Sequence, residues 1–324
     1  MKRFVSVDSG KDGTKGVLRG AYGADDVKIL FPKRVKKIDV ASSNFGLLNG
    51  DTATVEFEGK QYSVGGSDGY DSFNESKAEE LHRICTYTAV AKLVDNGDMV
   101  VLAVGCPLSV FINEEECMAY VEFMRGNGVI TITVDGVKKT FTILSVAAFP
   151  ESAGVIYLNY DKYKDKIIGV IDIGGLNTNC CVYQNARPVF ETIFTTRLGG
   201  KRMRKALLDQ LSSGLGMSVP LAGYQMDEVL KNGYVMNRRD PAKEELSRYI
   251  IRNYRLEHVR EIYNSCVAHN WALDSMELVF IGGTSLLLKD EIKEIFGVDD
   301  SAFFKDDIKD AVFLNAEGYL YALS

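Results

Sequence analysis

The stretch Ile167 to Asn179, IIGVIDIGGLNTN, constrains what this chain can fold into more than any other. Five of its first seven residues (Ile167, Ile168, Val170, Ile171 and Ile173) are β-branched and apolar, the composition of a strand buried on both faces. One charge, Asp172, interrupts the run just before Gly174 and Gly175. A carboxylate without a partner is costly in a strand core, so Asp172 belongs at the strand's end, facing something cationic. The two glycines let the backbone turn sharply and approach a ligand with no Cβ in the way. Thr178 and Asn179 then offer polar groups at the tip. The stretch combines a strand, a metal-facing carboxylate and a phosphate-sized turn.

The N-terminus repeats the device. Phe4 to Val7 reads as a short strand, Asp8 as its carboxylate, and Ser9-Gly10-Lys11-Asp12-Gly13-Thr14-Lys15 as a glycine-containing turn that carries a cation. Val17 and Leu18 restart the apolar pattern, so residues 1–20 form a hairpin. Late in the chain a third strand, Leu278 to Ile281, runs into Gly282-Gly283-Thr284-Ser285. Two strand–Asp–Gly turns plus a strand–GGT turn imply two similar α/β domains with a nucleotide clamped between them.

These residues carry a resemblance. DSGKDGTK (8–15), DIGGLNTN (172–179) and IGGTS (281–285) are similar to the two phosphate loops and the adenosine loop of the actin, heat-shock-chaperone and sugar-kinase ATPases. VGCPLS (104–109) and PESAG (150–154) resemble that fold's connecting segments. Order and spacing resemble most the ParM-type bacterial actins, which segregate plasmids, and so does the ending FFKDDIKDAVFLNAEGYLYALS. The resemblance spans the whole chain. It implies a two-domain α/β actin-like ATPase fold with nucleotide in the interdomain cleft. The implied function is a nucleotide-driven, filament-forming ATPase of plasmid or prophage DNA segregation, using ATP or GTP with Mg²⁺. Implied partners are further copies of the chain and a small DNA-binding adaptor bound to a centromere-like DNA site.

Bulk properties agree. At 324 residues the chain exceeds what one core usually holds. A net charge of −6 gives no field favouring nucleic acid, so direct DNA binding is not expected. Six scattered cysteines without a CxxC pair read as free thiols of a reducing cytosol, and three dispersed histidines make a zinc site unexpected. MKRFVSVD lacks the apolar core of a signal peptide, and Met99 to Ile112 is too short to span a bilayer. A soluble, cytoplasmic protein is expected.

Along the chain, domain I is expected over 1–163, with a smaller subdomain inserted at about 30–95, and domain II over 164–324. The basic run 33–37 (KRVKK) reads as a solvated edge. Strand fragments at 53–58 and 61–64 fit a hairpin, and Ser76 to Val94 fits a helix. Strands at 99–104, 129–134 and 139–146 follow, the last two joined by Asp135-Gly136. A helix begins at Asn113, another runs from Pro150 to about Tyr160, and Lys162 to Lys166 is the hinge. In domain II, strands at 167–173, 180–184 and near 189–196 precede helices at 201–212 and 249–268. A final helix at about 316–323 docks back on domain I.

Asp8 and Asp172 suit Mg²⁺, a hard cation that keeps several waters, so contact through water is expected. Backbone N–H groups of 9–13 (Ser9, Gly10, Lys11, Asp12, Gly13) and of 174–178 (Gly174, Gly175, Leu176, Asn177, Thr178) can cradle phosphates, with Thr14 completing the first loop. The resemblance assigns Lys15 to the phosphates and Glu151 to the attacking water. Lys11 stands where actins commonly carry a small hydroxyl residue. Gly199, Gly200, Gly282, Gly283 and Thr284 are expected to pack against adenosine, with Lys201 and Arg204 facing it from a helix. A sugar-type kinase on the same fold is the alternative. It would need a base for a substrate hydroxyl, whereas PESAG presents a glutamate where filament ATPases have one. A chaperone would need a separate substrate domain.

Overall fold

The computed structural model describes every residue except 22–23, 39–51, 67–78, 218–220, 238–239 and 324. It divides into two compact units, Met1–Asp165 with Val312–Ser324, and Lys166–Ala311.

The first unit opens with β1 (Lys2–Ser9), β2 (Gly13–Leu18), β3 (Val27–Pro32), β4 (Val35–Ile38), β5 (Ala53–Phe57) and β6 (Lys60–Val64). Helix α1 (Glu80–Leu93), β7 (Met99–Cys106), α2 (Leu108–Phe111), α3 (Glu114–Arg125), β8 (Val129–Val134), β9 (Val137–Pro150), α4 (Gly154–Leu158) and α5 (Tyr160–Tyr163) follow. Among the described residues the strands form one nine-stranded sheet in the order β3-β2-β1-β7-β9-β8-β5-β6-β4. Its centre, β1-β7-β9, is parallel, and β1-β2 and β8-β9 are antiparallel hairpins. Parallel strands are usually covered on both faces, and β7 (MVVLAVGC) is accordingly almost wholly buried. Helix α1 packs on this sheet with Ile84, Cys85, Tyr87, Val90 and Ala91 all buried. Its last turn presents the carbonyls of Ala91 and Val94 to the Lys139 ammonium, 2.7 Å from each. A cation there complements the negative end of the helix dipole.

Several expectations meet the structure at residue level. Asn113 caps α3, its side chain accepting from the Glu116 N–H at 3.2 Å. Asp135 and Gly136 both have positive φ, 52° and 79°, as a two-residue hairpin turn demands. The strand expected at 139–146 is longer, because β9 pairs with β8 at its start and with β7 as far as Cys106↔Pro150. Of the expected helix at 76–94, residues 76–78 lie outside the described ones, and α1 begins at Glu80. The run KRVKK is not a simple solvated edge. Lys36 and Lys37 are exposed, but Val35 faces the core and Lys33 is only 1% exposed, its N–H donating to the Asp12 carbonyl. The helix expected from Pro150 to Tyr160 is shorter, because Pro150 ends β9 and Asn159 (φ −126°) separates α4 from α5.

The second unit contains β10 (Ile167–Ile173), β11 (Thr178–Gln184), β12 (Arg187–Pro188), β13 (Phe194–Thr196), α6 (Gly200–Gly214), α7 (Met226–Asn232) and α8 (Pro241–Ala268). β14 (Glu277–Ile281), α9 (Gly283–Leu287), α10 (Lys289–Phe296) and α11 (Ile308–Ala311) complete it. Its sheet runs β12-β11-β10-β14, with β13 also paired to β11, and β10-β14 is parallel. Asn185 and Ala186, both left-handed, make the turn, so Arg187 and Pro188 already pair with β11, and β13 is shorter than the strand expected near 189–196. Helix α8 starts eight residues before the expected Tyr249, with Pro241 in its first turn, where a missing N–H costs nothing. Trp271 is buried in this core, and its indole N–H donates to the Thr192 carbonyl at 3.0 Å.

After Ala311 the chain returns to the first unit as α12 (Leu314–Ala322), which packs on α4, β1, β7 and β2. The approach to α4 is backbone on backbone, since a Cβ on Gly318 would lie 2.3 Å from the Gly154 Cα. Gly318→Ala is therefore expected to destabilise the protein by about 1–3 kcal/mol, the usual cost of overpacking. Gly223→Ala, with nothing within 4 Å of its Cβ, is expected to change stability by less than about 0.5 kcal/mol. Urea denaturation of the two variants checks the difference.

Candidate functional site

In the first unit the site is built from the carboxyl ends of three adjacent parallel strands. Such ends are where open α/β sheets take ligands. β1 ends in Asp8-Ser9, β7 in Gly105-Cys106, and β9 in Pro150 followed by Glu151. Glu151 is held in register because its N–H donates to the Cys106 carbonyl at 2.9 Å, one rung beyond Cys106↔Pro150. Asp8 is buried and lies 3.7 Å from the Lys15 ammonium, its antiparallel partner across the hairpin. Ser9 and Thr14 close the same hairpin, their hydroxyls 3.1 Å apart. Between them Gly10, Lys11, Asp12 and Gly13 form the turn. A Cβ on Gly10 would come within 3.0 Å of Lys15 Nζ, so the lysine folds back over its own loop. A Cβ on Gly105 would meet Asp8 Oδ1 at 3.1 Å, so glycine there leaves room for the carboxylate.

Tyr120, which short motifs do not reveal, lies at the centre of this group. It is fully buried on α3 and donates to the Gly105 carbonyl at 3.0 Å. Burial, then the charges of Cys106, Glu151 and Asp8, push its phenol well above the usual tyrosine range. It is therefore a permanent neutral donor within electrostatic reach of both carboxylates. Its signal in the sequence is only its place on the buried stripe of α3.

In the second unit three loops converge on one another. Gly174 N–H donates to the Asn177 carbonyl at 2.9 Å, so that donor closes the turn 174–177 and is not aimed outward. The Gly174 carbonyl accepts from Gly200 N–H at 3.0 Å and from the Thr284 hydroxyl at 3.1 Å, and the Gly175 carbonyl accepts from Lys201 N–H at 2.7 Å. The three glycine-containing stretches, 174–178, 199–201 and 282–284, are thereby one hydrogen-bonded assembly. Gly282 (φ +87°) must be glycine on two counts, since a Cβ there would also lie 2.6 Å from Asp172 Oδ1. Gly199 is equally confined, its Cβ position 2.3 Å from the Leu176 carbonyl carbon. Leu176 is half-buried, and Thr178 is buried with its hydroxyl on the Leu198 carbonyl at 2.7 Å. Gly283 opens α9. Arg204, one turn into α6, is ion-paired with Asp227 of α7.

Among the described residues, no group of three or more His, Cys, Asp or Glu side chains is placed to hold a metal ion by itself. No helix among the described residues is long and apolar enough to cross a membrane. None of the six cysteines is in a disulfide.

Residues 6–154 match the family model for the N-terminal domain of actin-like proteins. Over 99% of this chain and 98% of theirs, the fold matches the archaeal actin homologue Ta0583 (21% identity, TM-score 0.77) and the Alp12 filament structure (25%, 0.72). The chain therefore has the actin-like fold, with the family match confined to residues 6–154. A ParM filament of fifteen strands from Clostridium botulinum matches it over 99% of both chains, at 19% identity and a TM-score of 0.70. No curated protein sequence matches it.

One buried histidine braces the second group of loops. His258 of α8 is 4% exposed and hydrogen-bonds to the Leu198 carbonyl, the one Thr178 also holds, while its Nε2 has no partner among the described residues. Burial, with the nearby Arg202 charge, lowers its pKa from 6.5 to about 4, against the pull of the Leu198 bond. The folded state thus keeps this ring neutral where the unfolded chain takes up a proton. Stability is complete above the unfolded value and falls as pH drops from 6.5 through about 4. His258→Gln is expected to flatten that acid slope by about one bound proton, measured by urea denaturation between about pH 7 and pH 4.

Proposed function

We propose that this actin-like protein binds a Mg²⁺-nucleoside triphosphate through both glycine-rich turns, hydrolyses it, and assembles into filaments. The observation that carries this reading is that the ends of β1 and β9, on either side of β7, carry Asp8 and Glu151, with Lys15 of β2 beside Asp8. It supports a phosphate-binding loop with a carboxylate in register beside it. In the second unit, the assembly of 174–178, 199–201 and 282–284 around Asp172 supports the same ligand. A Ta0583 structure is a complex with ADP, at 21% identity and a TM-score of 0.71, which supports a purine nucleotide here. The Alp12 and Clostridium botulinum ParM structures are of filaments, which supports self-assembly.

The donor set suits Mg²⁺. Asp8 and Asp172 are hard oxygen ligands too few to cage an ion alone, which fits a cation shared with phosphates and water. When bound, the ion supplies charge neutralisation for the phosphates. The roles of the chain's own residues follow from their chemistry. Lys15 brings a positive charge to the phosphates, and N–H groups of 9–13 and 175–177 act as anion-binding donors. Glu151 accepts a hydrogen bond from the attacking water and orients it, assistance worth about 10²–10⁴ in rate. Gly199, Gly200, Gly282, Gly283 and Thr284 line the adenosine or guanosine end, with Lys201 and Arg204 on the adjoining turn of α6. At the cellular level we assign the filament to plasmid or prophage DNA segregation, through a small DNA-binding adaptor on a centromere-like site. The protein itself works in the cytoplasm without touching DNA or membrane.

Right-angle light scattering is expected to rise on adding Mg²⁺-ATP or Mg²⁺-GTP and to stay flat in EDTA. A flat trace in both, with phosphate transferred to a sugar-type acceptor, would favour a kinase instead. Glu151→Gln is expected to leave nucleotide affinity and assembly intact while slowing phosphate release about 10²-fold or more. Its filaments then keep their triphosphate and persist in pelleting assays. Parent-rate hydrolysis by well-folded Glu151→Gln protein would return that side chain to a helix-end carboxylate.

A further inference from the structure

The turn that carries Glu151 is strained, and a helix from the other end of the sequence grips it. Ser152 has φ +71°, a left-handed conformation that a residue with a Cβ adopts only where its surroundings impose it. It is fully buried, as are Ala153 and Gly154 after it. On one side the turn hangs from the sheet, through Glu151 N–H on the Cys106 carbonyl. On the other side three residues of α12 hold it. The Tyr319 hydroxyl donates to the Pro150 carbonyl at 3.2 Å, immediately before Glu151. Gly154 N–H donates to Asn315 Oδ1 at 3.3 Å, three residues after Glu151. Gly318 closes on Gly154 with no room for a side chain between them.

Tyr319 does more than fill space. It is fully buried, with its ring stacked on Phe149 at 5.6 Å and 7°, so the ring cannot swing away from the strand end. The same ring reaches the Asp8 side of the site, since a Cβ on Gly105 would lie 3.1 Å from Tyr319 Cε2 and 3.1 Å from Asp8 Oδ1. One rigid aromatic therefore bonds the end of β9 and packs beside Gly105 at the end of β7.

We propose that Tyr319 is the positioning residue for Glu151. Its hydroxyl fixes the Pro150 carbonyl, and with Asn315 it holds the backbone on either side of Glu151 so that the carboxylate meets the attacking water. This rests on the reading of Glu151 as the water-orienting group.

The test is single-turnover phosphate release from prebound Mg²⁺-ATP, which reads only folded, nucleotide-loaded protein. Tyr319→Phe removes one hydroxyl and keeps the stacked ring. It is expected to slow release about tenfold, in keeping with the cost of small misplacements of a reacting group, while nucleotide affinity stays within about twofold. In a Glu151→Gln background the same change is expected to slow release by no more than about twofold further, because there is no carboxylate left to aim. Asn315→Ala, which loosens the turn from its other side, is expected to act in the same direction and serves if Tyr319→Phe does not fold. A Tyr319→Phe protein that melts earlier but releases phosphate at the parent rate overturns the proposal and makes Tyr319 packing alone. Equal slowing in the parent and Glu151→Gln backgrounds also overturns it. If Glu151→Gln itself hydrolyses at the parent rate, the water-orienting reading falls and this proposal falls with it. Slow Glu151→Gln beside parent-rate Tyr319→Phe removes only the proposal.

Discussion

The parallel pairing of β7 with β1 on one side and β9 on the other is what the first unit depends on. Parallel ladders have evenly spaced hydrogen bonds, and a slip of one residue would reverse every side chain between the two faces. The register is therefore fixed by burial along most of β7. It is tied off at both ends, by Met99 N–H on the Met1 carbonyl and Glu151 N–H on the Cys106 carbonyl. Once Val7 faces Val104 and Cys106 faces Pro150, the strand ends bring Asp8, Gly105 and Glu151 into one neighbourhood. No separate device is needed to gather them. Tyr120 and Tyr319, each fully buried, then hold the neighbouring backbone through the carbonyls of Gly105 and Pro150.

The second unit solves a similar problem differently. Its parallel strand pair is β10 beside β14, and their ends bring together Asp172 and Gly282. The remaining loop, at 199–201, is recruited by hydrogen bonds to two consecutive carbonyls, those of Gly174 and Gly175. These bonds spend the first N–H groups of α6 within the protein, so the helix terminus is satisfied by its own loop. The close approach they require excludes a Cβ at Gly199, Gly200 and Gly282, which is why the sequence is so rich in glycine there.

The glycine-rich turns, their carboxylates and most of the strands were legible in the sequence because each depends on local chemistry. Buried β-branched runs, Asp-Gly hairpin turns and an Asn cap signal themselves within a few residues. What escaped depends on distant partners. β9 looks like a strand of ordinary length until β7 gives it a template as far as Pro150. Lys33 reads as one more solvated cation, and only the fold buries it beside the first loop. Tyr120 and Tyr319 are unremarkable letters on helices. Their importance lies in which backbone carbonyl each reaches, 15 and 169 residues away.

That last separation has a consequence for how the protein is made. The first unit is discontinuous in sequence, while the second is a single uninterrupted segment inserted within it. Synthesis from the N-terminus therefore delivers the whole of Lys166–Ala311 before the helix that grips Pro150 and Gly154 exists. Until α12 arrives, the turn with the left-handed Ser152 lacks the bonds from Tyr319 and Asn315, and the surface that α12 covers on β1, β7 and α4 stays open. Contacts of long sequence separation form late and slowly, because a large loop must close before they contribute. The nascent chain thus carries its glycine-rich hairpin from the start but finishes the turn bearing Glu151 last.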